Sequence, residues 1–155
     1  MIARLLPKYL IALMSPLLMW NWAHGDSASS PLRVTLAQTL PASTVGGVGQ
    51  TLSVINVSAE TYHQLEVVFI PYDRYGRRQT SDIDDVGEVQ VPLNTHLFPE
   101  QEVINTWPDV WFNHSIVCVE IDRLRITYSD GSRRVYRKDA VDDMLADQVL
   151  NDCQR

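Results

Sequence analysis

The residues from Trp111 to Tyr128 form a long run rich in β-branched and aromatic side chains, and the run leads into Asp130-Gly131. Asp-Gly between β-rich flanks is a strong hairpin signal, because a type I′ turn needs positive φ at both central residues. A chain with this feature folds around antiparallel strands. Taken as a two-residue turn, it opposes Tyr128 to Arg133, Ile126 to Val135 and Arg125 to Tyr136. The apolar parity of the first strand slips along its length: Val117, Val119 and Ile121 are odd, whereas Leu124, Ile126 and Tyr128 are even. One face stays apolar throughout only if an extra residue is inserted at Asp122-Arg123, which is a β-bulge.

Other segments carry the same period. Arg33 to Leu40 alternates Val34 and Leu36 with Arg33 and Thr35, and Thr51 to Ser58 carries Leu52, Val54 and Val57. Between them, Pro41 to Gln50 holds Gly46, Gly47 and Gly49 and is expected to be a loop. Leu65 to Tyr72 contains four consecutive apolar residues, Val67 to Ile70, so both of its faces should be covered. Pro71 belongs at a bulge or strand end. A weaker strand follows at Val86 to Leu93, and Leu97 to Pro108 shows no clear period.

The period changes at the C-terminus. Val141, Leu145, Val149 and Cys153 fall on one helical stripe, which predicts an amphipathic helix over about 139–153, capped by Asp139. Such a helix is about 21 Å long. Laid along the outer face of the strand before the hairpin, it ends near Cys118. The chain has two cysteines, Cys118 and Cys153, and an even pair in an exported protein favours a disulfide. Closing a loop of about 35 residues stabilises a fold by roughly 4 kcal/mol in the chain-entropy treatment.

Export itself is read from the first residues. Arg4 and Lys8 precede a mostly apolar run from Tyr9 to Trp22, and Ala23-His24-Gly25 supplies small residues before a cleavage point. The run is about 14 residues, short of the roughly 20 that span a bilayer. Residues 1–25 are expected to be a signal peptide, 26–32 a flexible linker, and 33–155 a domain that is periplasmic or secreted, with no stable membrane span after cleavage. Cleavage removes Arg4 and Lys8 and no carboxylate, so a net charge of −6 becomes −8. That field disfavours nucleic acid as a partner.

The stretch Asn56-Val57-Ser58-Ala59-Glu60-Thr61, followed by Leu65 to Gly76 (LEVVFIPYDRYG), resembles the FxLYD-type domain of bacterial exported proteins. There an Asn-x-Ser loop joins two strands, and the second ends in an aromatic residue, Asp and a turn Gly. Leu97-Phe98-Pro99-Glu100 is similar to the Leu-x-Pro-Gly-Glu step that follows in that family, without its glycine. The resemblance implies an immunoglobulin-like β-sandwich with an accessory or binding role, and no catalytic residues. The expected architecture is therefore mainly β, an immunoglobulin-like sandwich with one C-terminal α-helix packed on the sheet.

Candidate sites are few, and no cofactor motif is present. Under the two-residue turn, Arg123, Arg125 and Thr127 share a face with Arg134, Tyr136 and Lys138. Such a cationic face either is neutralised by Asp142, Asp143 and Asp147 or meets an anionic partner: another envelope or secreted protein, or an acidic glycan. Trp107 is a candidate stacking surface, whereas Trp111 reads as core. His63, His96 and His114 lack metal-ligand spacing and read as surface or turn residues. A small hydrolase using His114 or His96 with a carboxylate is the competing class. A third is a calcium-stabilised module using Asp82, Asp84, Asp85 and Glu88. Asn56-Val57-Ser58 and Asn113-His114-Ser115 match glycosylation acceptors by chance.

Overall fold

The computed structural model describes residues 30–93, 96–149 and 153; the signal peptide, most of the linker and residues 150–152 of the expected helix lie outside that set. Among the described residues seven strands form two antiparallel sheets. The first sheet orders β1 (Leu32–Leu40), β2 (Gly47–Asn56) and β5 (Glu102–Phe112) as β1-β2-β5. The second orders β4 (Val89–Leu93), β3 (Tyr62–Asp73), β6 (Ile116–Tyr128) and β7 (Arg133–Arg137) as β4-β3-β6-β7. This is a β-sandwich of immunoglobulin-like strand order, with the fourth strand joined to the third rather than to the fifth. Leu52, Val54 and Trp111 of the first sheet meet Leu65, Val67, Phe69, Val119, Ile121, Leu124 and Ile126 of the second, all essentially inaccessible to solvent.

Bulges set which side chains reach that core. Val68 pairs with Arg123 and Phe69 with Ile121, so Asp122 is the extra residue that the parity slip of β6 requires. A second shift leaves Val117 unpaired between Cys118 and Ile116, which turns Val117 to solvent and Ile116 inward, against the alternation read from sequence. A third, between Val34 and Leu36, turns Leu36 outward and brings Ala37 into the core in its place.

β2 begins at Gly47, inside the segment expected to be a loop. Its partner β5 bulges there, with Val48 opposite Trp111 and Gln50 opposite Trp107. The Trp107 and Pro108 carbonyls press on Gly49 where any Cβ would stand, so the glycine permits strand contact rather than flexibility. In β3, Val67 and Phe69 face the core, and Val68 and Ile70 on the other side are also buried, as their continuous apolar run requires. The Pro71 carbonyl accepts from the Gln79 N–H at 3.0 Å. Its nitrogen points the same way, beyond the reach of β4, so no ladder bond to β6 is lost.

The C-terminus departs from expectation. Helix α1 spans only Lys138–Asp142; its N-cap is Arg137, with no side-chain cap bond, and Asp139 lies in its first turn. The chain then becomes extended: the Met144 carbonyl accepts from Val34 N–H at 2.8 Å and Ala146 N–H donates to the Val34 carbonyl at 2.9 Å, a parallel bridge to the edge of β1. Unpaired backbone groups on that edge offer bonds that a continued helix could not use. Val141 and Met144 still reach the core, between the sheets rather than on an outer face. Cys153 is bonded to Cys118, with a Cα–Cα distance of 5.5 Å. Among the described residues no helix is long and apolar enough to cross a membrane.

Candidate functional site: a tyrosine and arginine cavity

The β6–β7 connection is a three-residue loop, not the two-residue turn expected from Asp130-Gly131. Tyr128 N–H donates to the Ser132 carbonyl at 2.9 Å, and Gly131 N–H donates to the Tyr128 carbonyl at 3.0 Å. Only Gly131 has positive φ, +82°. Asp130 keeps ordinary φ and accepts the Ser132 N–H through Oδ1 at 2.8 Å. A turn closed by a left-handed glycine relieves Asp130 of the strain a type I′ turn imposes. The pairing therefore becomes Thr127 with Arg133, Ile126 with Arg134, Arg125 with Val135, and Leu124 with Tyr136.

This one-residue shift turns β7 over. Arg123 and Arg125 share their face with Arg133, Val135 and Arg137; Arg134 and Tyr136 leave it, which corrects the grouping drawn from sequence. The counter-charges differ too. Arg125 bonds Glu66 of β3 at 2.9 Å, and Arg123 pairs with Glu88 and, at 2.8 Å, with Asp122. Asp142, Asp143 and Asp147 make none of these pairs. Lys138 opens α1 and is exposed. Trp107 lies on the other sheet, half-buried and edge-on to Phe69 with ring centroids 5.8 Å apart. Trp111 is wholly buried, so the two tryptophans form no common stacking surface.

Arg134 and Tyr136 open instead onto a cavity of about 530 Å³ at one end of the sandwich. The turn after β2 supplies Ser58 and Glu60, the hairpin supplies Tyr128, Arg134 and Tyr136, and Met144 closes one side. Tyr62 is wholly buried beneath it, packed edge-to-face on Tyr128 at 5.3 Å. The Arg134 guanidinium sits over the Tyr128 ring at 5.4 Å, and the Tyr128 and Tyr136 hydroxyls are 3.2 Å apart. Burial and the Tyr136 hydroxyl push the Tyr128 phenol up from its ordinary range, so it stays protonated and available as a donor. The hydrogen bond with Tyr136, and then the Tyr128 and Tyr136 oxygens, raise Arg134, which remains a full cation. A guanidinium and two phenols at one mouth are donors suited to an anion.

The Asn-x-Ser turn anchors the cavity floor. Asn56 is wholly buried; its Nδ2 donates to the Glu60 and Leu97 carbonyls at 2.7 and 3.1 Å, while Oδ1 accepts from Ser58 N–H and Oγ. Ser58 Oγ in turn accepts from the Tyr62 hydroxyl at 2.6 Å. Asn113 repeats the device: its Nδ2 donates to the Thr80 carbonyl and its Oδ1 takes the Ser115 N–H and Oγ. Both acceptor-like triplets are thus Asx turns that brace loops.

The remaining candidates are placed elsewhere. His114 lies over Gly46, and His96 meets His63, with His96 Nε2 and His63 Nδ1 3.0 Å apart. Glu88 pairs with Arg123, and Asp84 Oδ1 accepts the Val86 N–H at 3.3 Å. Among the described residues no three or more acidic, histidine or cysteine side chains converge to hold a metal, so Asp82, Asp84, Asp85 and Glu88 form no calcium cage.

The chain matches no protein-family model and no curated protein. It is similar to two solved structures: a hypothetical protein from Peptoclostridium difficile 630, at 10% identity and a TM-score of 0.44 over 73% of this chain and 89% of that one, and IrmA from Escherichia coli, at 10% identity and 0.44 over 76% and 90%.

Proposed function

We propose that this chain is an exported, non-catalytic binding module of the bacterial envelope, of FxLYD-like type, that holds an anionic group of a partner in the Arg134 cavity. The observation that carries this reading is the split among the hairpin arginines. Arg123 and Arg125 are in direct ion pairs with carboxylates, whereas Arg134 at the concave mouth is held by phenols, with the Glu60 carboxylate acting on it electrostatically and Asp143 lining the same cavity. Exposed Arg133 and Arg137 on the edge of β7 have a simpler role, since charged edges deter pairing with another strand. In an acidic protein a local cation selects its partner by complementarity rather than by the overall field. A partner protein's carboxylate cluster or an acidic glycan both supply such an anion. The Cys118–Cys153 bond fits folding outside the reducing cytoplasm, and supports export.

A photo-crosslinking residue placed at Val135, which is exposed beside Arg134, tests the proposal in the native envelope. Arg134→Glu should abolish the crosslinked adduct while leaving the melting temperature within a degree or two of the parent. Arg125→Glu should leave the adduct and lower stability. An undiminished adduct from the Arg134→Glu protein rules the cavity out as the binding site.

A further inference from the structure

The end of β3 that lies beneath the anion cavity also carries, on its outer face, an arrangement that the cavity does not use. Tyr62 and Leu97 exchange both backbone hydrogen bonds, Tyr62 N–H to Leu97 carbonyl at 3.0 Å and Leu97 N–H to Tyr62 carbonyl at 2.9 Å. In an antiparallel ladder the adjacent pair, His63 with His96, is then a non-hydrogen-bonded pair, the class whose side chains approach most closely. Tyr62 and Leu97 both point into the core, so their neighbours His63 and His96 both point to solvent on one face. The rings meet with centroids 4.5 Å apart and planes at 88°, and Nδ1 of His63 lies 3.0 Å from Nε2 of His96.

We propose that His63 and His96 form a surface chelate for a divalent transition-metal ion, with Cu2+ preferred. Two nitrogens 3.0 Å apart, each about 2.0 Å from one ion, subtend about 97° at it. That is nearer the right angle of tetragonal Cu2+ than the tetrahedral angle of Zn2+, and Cu2+ also heads the affinity order for imidazole. The backbone pairing holds the two rings together before any ion arrives, so little ordering remains to oppose binding. Both rings are exposed, and an ion would take the place of their mutual hydrogen bond, each ring turning out of the N···N line to face it, with water completing the coordination. Ligation requires neutral imidazoles, so acid opposes it.

The test uses the oxidised full-length chain carrying His24→Ala and His114→Ala, which leaves His63 and His96 as its only imidazoles. Titration with CuSO4 in a non-coordinating buffer, followed by electron paramagnetic resonance, should show one bound ion with hyperfine splitting from two nitrogens. Adding His63→Ala or His96→Ala should weaken Cu2+ binding about tenfold or more, with an unchanged melting temperature in the absence of metal. Zn2+ should compete weakly. A spectrum without two imidazole nitrogens overturns the proposal whatever the variants do, as does undiminished binding in either single-histidine protein.

Discussion

Gln50 is wholly buried in β2, and neither atom of its amide has a hydrogen-bond partner among the described residues. A buried amide without partners costs about 1–3 kcal/mol. Gln50→Leu should therefore stabilise the domain by that order, read as a higher denaturation midpoint with an unchanged slope. Asn56 is the opposite case. It is equally buried, yet its amide serves the Glu60 and Leu97 carbonyls and its oxygen orders the Ser58 turn. Asn56→Ala should cost about 3 kcal/mol, because carbonyls are left orphaned as well as bonds lost. Asp73 sets a dependence on pH. Burial pushes its carboxyl up, but the Arg77 N–H and guanidinium and the Tyr75 N–H together hold it below the ordinary range. Its folded pKa lies below its unfolded one, so its contribution is complete above the unfolded value and disappears as pH falls through the folded value. Melting temperature should drop on acidification below about pH 4, and Asp73→Asn should start lower and flatten that drop. No motif distinguishes Gln50 from Asn56; the difference is only whether a carbonyl lies within reach.

At the scale of elements, the β6–β7 hairpin decides most of the surface chemistry. Gly131 sits at φ +82° with open space where a Cβ would be, so Gly131→Ala meets backbone strain alone and should cost about 1–2 kcal/mol. Were the connection a type I′ turn, position 130 would carry equal strain and Asp130→Gly would stabilise; here it should not, since Ser132 N–H would lose its partner. Paired melts of the two variants separate the geometries. Arg125→Glu should destabilise by about 0.5–1 kcal/mol, the range for a partly exposed pair, because it places a carboxylate against Glu66. Most of the strands, the hairpin and the Asp122 bulge were legible in the sequence because periodicity records which side chains must face one core. The register was not: shifting β7 by one residue exchanges Val135 for Tyr136 inside, and both are apolar enough to serve. β5 was missed because its inward residues are interrupted at Pro108, where the bulge beside Gly49 resets the alternation.

For the whole molecule, the last segment closes the sandwich. β7 pairs only with Arg123 to Thr127 of β6, while Cys153 bonds to Cys118 in the other half of that strand. Between those points the chain leaves α1, crosses to β1 and fills the gap between sheets with Val141 and Met144. With a separation of 35 residues, the disulfide should contribute about 4 kcal/mol through the unfolded chain. Guanidinium unfolding with and without reductant should show that difference, and hydrogen exchange should locate the first loosening at Val34 and Ala146, whose amides hold the C-terminal bridge. An unshifted midpoint would mean that packing alone secures the segment.

The sequence by itself determined the β-rich class, the alternation that buries one face of each strand, the β6 bulge and the pairing of the two cysteines, since each follows from local period or from elimination. Tertiary structure alone decided the hairpin register, the unwinding of the expected helix onto β1, and the meeting of His63 with His96. Each of those rests on competition among near-equal local choices, or on contacts between residues far apart in the chain, and only the complete set of neighbours resolves it.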